Sequence, residues 1–144
     1  MKKSTGISLS LMMFLEYFIW GSWYATLATY MKRPPLESDG GQIGNAYGAL
    51  AIATMISPFI VGLIADRYFA AQKIMGILHL LGAVILYFAG SIQDNTLFYW
   101  VVLIYSILYM PTIALSNSIP FNQITEPGKQ FPWMRVFGTL GWII

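Results

Sequence analysis

Cysteine is absent, histidine occurs once, at His79, and charge is scarce: Lys and Arg total 8 and Asp and Glu 6 in 144 residues. Without a thiol the chain has no disulfide, no thiolate nucleophile and no zinc–thiolate site. One His and scattered carboxylates form no metal-ligand set and no catalytic constellation, so neither an enzyme nor a cofactor is expected. The net charge of +2 is too small to point to nucleic acid. In place of charge there is grease. The chain is 57% hydrophobic and 10% charged, with a mean hydropathy of +0.62. Soluble domains carry about 25% charged residues, so this composition predicts an all-α integral membrane protein.

The stretch that orders the rest is the turn from Gly62 to Lys73, which carries Asp66, Arg67 and Lys73 between two uncharged apolar runs. A helix of ~20 apolar residues crosses the ~30 Å hydrocarbon core, so those charges belong at the membrane surface. Four complete spans are expected, at about 7–30, 43–65, 74–92 and 97–119, with a loop at 120–132. A fifth, at 132–144, is too short to cross, so the chain reads as the amino-terminal portion of a longer protein. Basic residues orient the spans. Lys2, Lys3, Arg67, Lys73, Lys129 and Arg135 fall on the side of the amino terminus, and Lys32 and Arg33 on the other. That bias predicts a cytoplasmic amino terminus, with Phe98, Tyr99 and Trp100 at the outer interface. Short loops imply antiparallel neighbours in a helix bundle. Gly21, Ala25, Ala28, Gly44 and Gly48 offer close-packing faces.

Several side chains are out of place in lipid. Glu16 lies about ten residues into the first span, where a charge costs roughly 2.5–3.5 kcal/mol on insertion scales. It either exchanges a proton or ties helices together by hydrogen bonding. Helical spacing puts it on one face with Trp20, Trp23 and Leu27, and Trp20 is too deep for an interfacial belt. Pro58 is expected to kink the second span. His79 reads as an interhelical hydrogen bonder. In the fourth span Tyr105, Tyr109, Thr112 and Ser116 line one stripe beside Pro111. They form either a wetted cavity wall, the favoured reading, or hydroxyls bonded to their own backbone.

The last segment says most about a ligand. Pro132 can open a helix. Arg135, Thr139 and Trp142 then share one face: a planar multidentate donor, a hydroxyl and a stacking indole. Gly138 and Gly141 allow close approach. The trio suits a small molecule with sugar hydroxyls and an aromatic base. On spacing alone, Arg135 is equally a snorkelling interface anchor.

Gly62-x-x-x-Asp66-Arg67 resembles the signature loop of the major facilitator superfamily, with Phe69 where a glycine is expected and only Lys73 for the terminal basic pair. Three further stretches resemble the bacterial nucleoside:proton symporter family. They are Phe18-Ile19-Trp20-Gly21-Ser22-Trp23, Tyr109-Met110-Pro111-Thr112 and the run from Phe131 to Trp142. The likeness covers essentially the whole chain. It implies a twelve-span fold in two six-helix halves in the bacterial inner membrane, with a central site for a nucleoside. It also implies uptake driven by the proton gradient, with Arg135, Thr139 and the aromatic at 142 facing the nucleoside. Trp20 is expected to join them, Glu16 is the candidate for proton coupling, and Gly62, Asp66, Arg67 and Lys73 form a gating turn. The remaining carboxyl-terminal helices would be partners of this portion, alongside the lipid. Two alternatives are a major facilitator transporter of another small polar solute and a non-transporting helical membrane subunit.

Overall fold

The computed structural model describes residues 3–65 and 70–144, without the side chains of 60, 61 and 63–65. Every element in it is helical: α1 (Lys3–Tyr24), α2 (Leu27–Met31), α3 (Gly40–Ala65), α4 (Ala71–Ala89), α5 (Asn95–Phe121) and α6 (Pro127–Ile143). Among the described residues α4 and α5 are long and apolar enough to cross a membrane by length and composition. Large side chains face outward: Met55 is 73% exposed, Phe59 75%, Leu80 72% and Trp133 71%. Water does not tolerate apolar surface on that scale, and hydrocarbon does. Asp66 and Arg67 of the expected gating turn lie outside the described residues; Gly62 sits in α3 and Lys73 in the first turn of α4.

Helix boundaries depart from the sequence reading at two places in the chain. The first helix does not run unbroken to residue 30. It stops at Tyr24, and α2 resumes at Leu27. Ser22 Oγ donates to the Ile19 carbonyl at 2.8 Å, and Thr26 Oγ1 to the Ser22 carbonyl at 2.7 Å. Hydroxyls bonded back to the preceding turn compete with the backbone ladder and bend or end helices. The expected loop over 120–132 is also shorter, because α5 continues to Phe121 and α6 begins at Pro127. Pro127, not Pro132, takes the first-turn position where a missing N–H costs nothing. Gln130 Oε1 accepts from the backbone N–H groups of Thr125 (3.2 Å) and Glu126 (3.4 Å), and Lys129 Nζ pairs with Glu126 at 2.8 Å. The Gln130 contacts satisfy backbone donors at the entry to the helix, and the ion pair ties its first turn side chain to side chain. Pro132 lies inside α6.

The chain divides into two compact units, residues 1–27 with 115–144, and residues 28–114. In the first, α1 and α6 pack along a seam of glycines. A Cβ on Gly21 would stand 2.8 Å from the Trp142 carbonyl oxygen, one on Gly138 3.0 Å from the Tyr17 ring, and one on Gly141 would overlap the Phe14 carbonyl. Only a residue without a side chain lets the two backbones come this near. Phe121 and Phe131 meet across the intervening loop, rings tilted by 30° with centroids 4.6 Å apart.

The second unit is held at its loops by polar caps. Asp39 Oδ1 accepts from Gln42 N at 2.8 Å while Gln42 Oε1 accepts from Asp39 N at 2.9 Å, a reciprocal box at the start of α3. Asp94 Oδ1 accepts from Leu97 N at 2.7 Å and caps α5. Asn95 Nδ2 donates to the Leu36 carbonyl at 2.9 Å, and its Oδ1 accepts from Ser38 Oγ, so one amide pins the 32–39 loop. The buried stripe of α3 is Ala46, Ala49, Ala53 and Ser57. Gly44 and Gly48, the expected packing pair, do not make that face: a Cβ added at either would meet nothing within 4 Å.

Candidate functional site

The side chains with the strongest claim to a ligand gather in the first unit, on α1 and α6. Positions 134, 138 and 141 of α6 are buried in the seam. Arg135, Thr139 and Trp142 share the adjacent face, about 100° around the helix at ~100° per residue. The seam therefore fixes which way this trio is carried. Packing residues on one side leave the guanidinium, the hydroxyl and the indole on the next.

Trp142 joins an aromatic wall. Its ring meets Trp20 edge to face, centroids 4.7 Å apart at 63°, and lies 5.8 Å from Tyr24. Trp20 in turn touches Tyr24 at 5.9 Å and Tyr17 at 6.1 Å. The Trp20 Nε1–H is buried and meets no acceptor among the described residues. A buried donor without a partner costs about 1–3 kcal/mol, which an oxygen of a bound molecule would recover. The indole at 142 is 36% exposed, so part of its face is open.

Arg135 does not point its whole fork away. Nη1 donates to Asn117 Oδ1 of α5 at 2.9 Å, and among the described residues the guanidinium has no carboxylate partner. Thr139 Oγ1 donates to the Arg135 carbonyl at 3.3 Å, leaving its lone pairs to accept. Asn117 and Tyr24 were not picked out from sequence. The signal for Asn117 was available: an amide inside an apolar helix needs a polar partner.

Glu16 is 1% exposed, on the α1 stripe that also buries Leu9 and Met13. Helical geometry sets that stripe about a third of a turn from the glycine seam and places Trp20 one turn further along it.

Other expectations resolve differently. The hydroxyl stripe of α5 is not a wetted wall: Tyr105, Tyr109, Thr112 and Ser116 are all buried. Thr112 Oγ1 donates to the Tyr109 carbonyl at 2.6 Å, and the Tyr105 and Tyr109 rings stack 5.6 Å apart. Tyr105 packs over Gly82 of α4. Backbone bonding wins at Thr112, as it does at neighbouring Ser106, because each hydroxyl finds a carbonyl one turn back. His79 Nδ1 lies 2.9 Å from the Met75 carbonyl of its own helix and its ring abuts Tyr109. A carbonyl only accepts, so Nδ1 carries a proton. A cavity of about 1040 Å³ in the first unit lies between α1 and α6 among Ile7, Leu11, Phe14, Trp133, Phe137 and Leu140. Arg135, Thr139 and Trp142 are not in its lining, and a wall so apolar offers little to a molecule rich in hydroxyls.

The first unit of this all-helical chain thus brings together a buried carboxyl, an aromatic wall and a tethered guanidinium. Residues 3–144 match the Nucleoside H+ symporter family, and the chain belongs to it. The putative nucleoside transporter YegT of Escherichia coli (strain K12) is 44% identical over 139 residues, covering 96% of this chain and 32% of that protein. The xanthosine permease of the same organism is 41% identical over 145 residues, covering 98% and 34%. A crystal structure of the nucleoside transporter NupG, solved as a single-substitution variant, superposes with a TM-score of 0.90 at 34% identity, covering 96% of this chain and 35% of that one. The chain thus spans about a third of the length of the curated relatives it matches.

Proposed function

We propose that this chain is the amino-terminal portion of a twelve-span major facilitator transporter that takes up nucleosides with protons across the bacterial inner membrane. In this reading α1 with α2, α3, α4 and α5 are four spans, α6 is part of a fifth, and the amino terminus is cytoplasmic. The nucleoside binds between two six-helix halves, which rock to expose it alternately to each side. Arg135 donates to base or sugar oxygens, Thr139 accepts from a ribose hydroxyl, and Trp142 and Trp20 stack or close on the base. Glu16 takes up and releases the coupled proton, and the turn of Gly62, Asp66, Arg67 and Lys73 latches the cytoplasmic side. The energy source is the proton gradient, with no cofactor.

The observation that carries this reading is the shared face of Arg135, Thr139 and Trp142, backed by an aromatic wall whose Trp20 N–H lacks an acceptor among the described residues. The test is uptake of radiolabelled uridine and adenosine by the full-length protein, with free base and free ribose as competitors. Arg135→Ala is expected to cut uptake by tenfold or more with membrane insertion intact, on the order of one lost charged hydrogen bond or more. Normal uptake in that variant removes Arg135 from the site.

A further inference from the structure

We infer that Asn117 is a positioning residue of the nucleoside site, acting through Arg135. The inference rests on the site reading above. Arg has five N–H donors on a planar fork and a flexible stem. The half-buried Asn117 amide, on α5, takes one of those donors at 2.9 Å and so fixes the plane of the fork on α6. Both residues lie in the same compact unit, and the loop that joins their helices is only residues 122–126.

The chemistry of the partner matters. A carboxylate at this place would pair with the guanidinium and cancel its charge. A neutral amide orients the fork and leaves the charge and the other donors for a ligand. Thr139 spans one turn of the same face and bonds the Arg135 carbonyl at 3.3 Å, so the residue is held at its backbone as well as at its tip. A guanidinium already held in place loses less freedom when the ligand arrives, which raises affinity without a new ligand contact. Asn117 is predicted to change KM through that preorganisation and to leave the turnover of the transport cycle alone.

The experiment uses the full-length transporter and initial uptake rates of uridine in four proteins: wild type, Asn117→Ala, Arg135→Ala and the double variant. Asn117→Ala is expected to raise KM about 3- to 10-fold, the range of one side chain's ordering, with maximal velocity unchanged. In the Arg135→Ala background the same change is expected to add nothing, because its only route to the ligand is gone. Asn117→Asp, which keeps an acceptor at the same atom but pairs off the guanidinium charge, is expected not to recover the wild-type KM. A wild-type KM in Asn117→Ala, or a loss that adds fully in both backgrounds, overturns the inference. If Arg135→Ala itself transports normally, it is the site reading that fails; if Arg135→Ala is impaired and Asn117→Ala is not, only the role of Asn117 falls.

Discussion

The indoles of Trp20 and Trp142 meet edge to face across the α1–α6 seam, centroids 4.7 Å apart, with the Gly21 backbone against the Trp142 carbonyl just beside them. Such a pair contributes about 0.5–1.5 kcal/mol beyond its buried area, so it fixes the orientation of the Trp142 ring. If that ring stacks on a base, losing it costs more, about 1–3 kcal/mol. In the full-length protein Trp142→Ala is therefore expected to raise the KM for nucleosides roughly 5- to 150-fold. Trp142→Phe, which keeps a flat ring, should stay within a few fold. Equal KM values for the Ala variant and wild type would mean the indole only packs.

Gly141 shows how little slack the seam has. A methyl group there runs into the Phe14 carbonyl and comes within 3.1 Å of the Phe18 backbone N. Backbone cannot swing aside as a side chain can, so α1 and α6 must part. Overpacking of this kind costs about 1–3 kcal/mol. Gly141→Ala should lower the thermal unfolding temperature of the detergent-solubilised protein and reduce its folded yield. Gly128→Ala is the control. Nothing lies within 4 Å of its added methyl, and alanine is the better helix former by up to ~1 kcal/mol. It should unfold at the wild-type temperature or slightly above.

What could be read from sequence divides along the same physical line. Apolar runs about as long as a bilayer crossing announce α3, α4 and α5, and the 135/139/142 face follows from helical spacing alone. Boundaries were less legible, because they depend on which of several polar groups reaches a backbone donor first. Ser22 and Thr26 ended α1 early, and Gln130 let α6 start at Pro127. The α5 hydroxyls depart from the expected cavity wall for a related reason: spacing tells which way they face, not whether Gly82 makes room for a ring beside them. The Asn117 amide inside an apolar helix signals a polar partner, but which partner it takes is visible only with Arg135 placed against it.

Asn95 offers a test of loop stability that does not depend on ligand. Its amide serves the Leu36 carbonyl and Ser38 at once, and both of those residues are buried. Removing it strands a buried carbonyl at a cost of about 1–3 kcal/mol. Asn95→Ala is expected to leave the helices folded while residues 32–39 lose amide-exchange protection and become susceptible to proteolysis. Unchanged protection across the loop would show that the capped helix starts at Asp39 and Asp94 suffice to hold it.

Glu16 is the side chain whose cost most demands a return. It is almost wholly enclosed, on the α1 face that leads to Trp20. A permanently charged carboxylate in hydrocarbon costs roughly 2.5–3.5 kcal/mol on insertion scales, whereas a neutral carboxyl with a hydrogen bond is far cheaper. Glu16→Gln preserves the shape and the hydrogen-bonding capacity and removes only the exchangeable proton. If Glu16 couples proton to substrate, the variant binds nucleoside and exchanges it across the membrane. It no longer accumulates nucleoside against a gradient, and adding nucleoside no longer draws protons into cells or vesicles. The decisive measurement is the pH change in a lightly buffered suspension on addition of uridine, compared with counterflow of labelled uridine in the same vesicles. Lost proton influx with intact counterflow assigns the coupling to Glu16. Wild-type influx in Glu16→Gln assigns the residue to helix packing and moves the proton carrier to a residue elsewhere in the transporter.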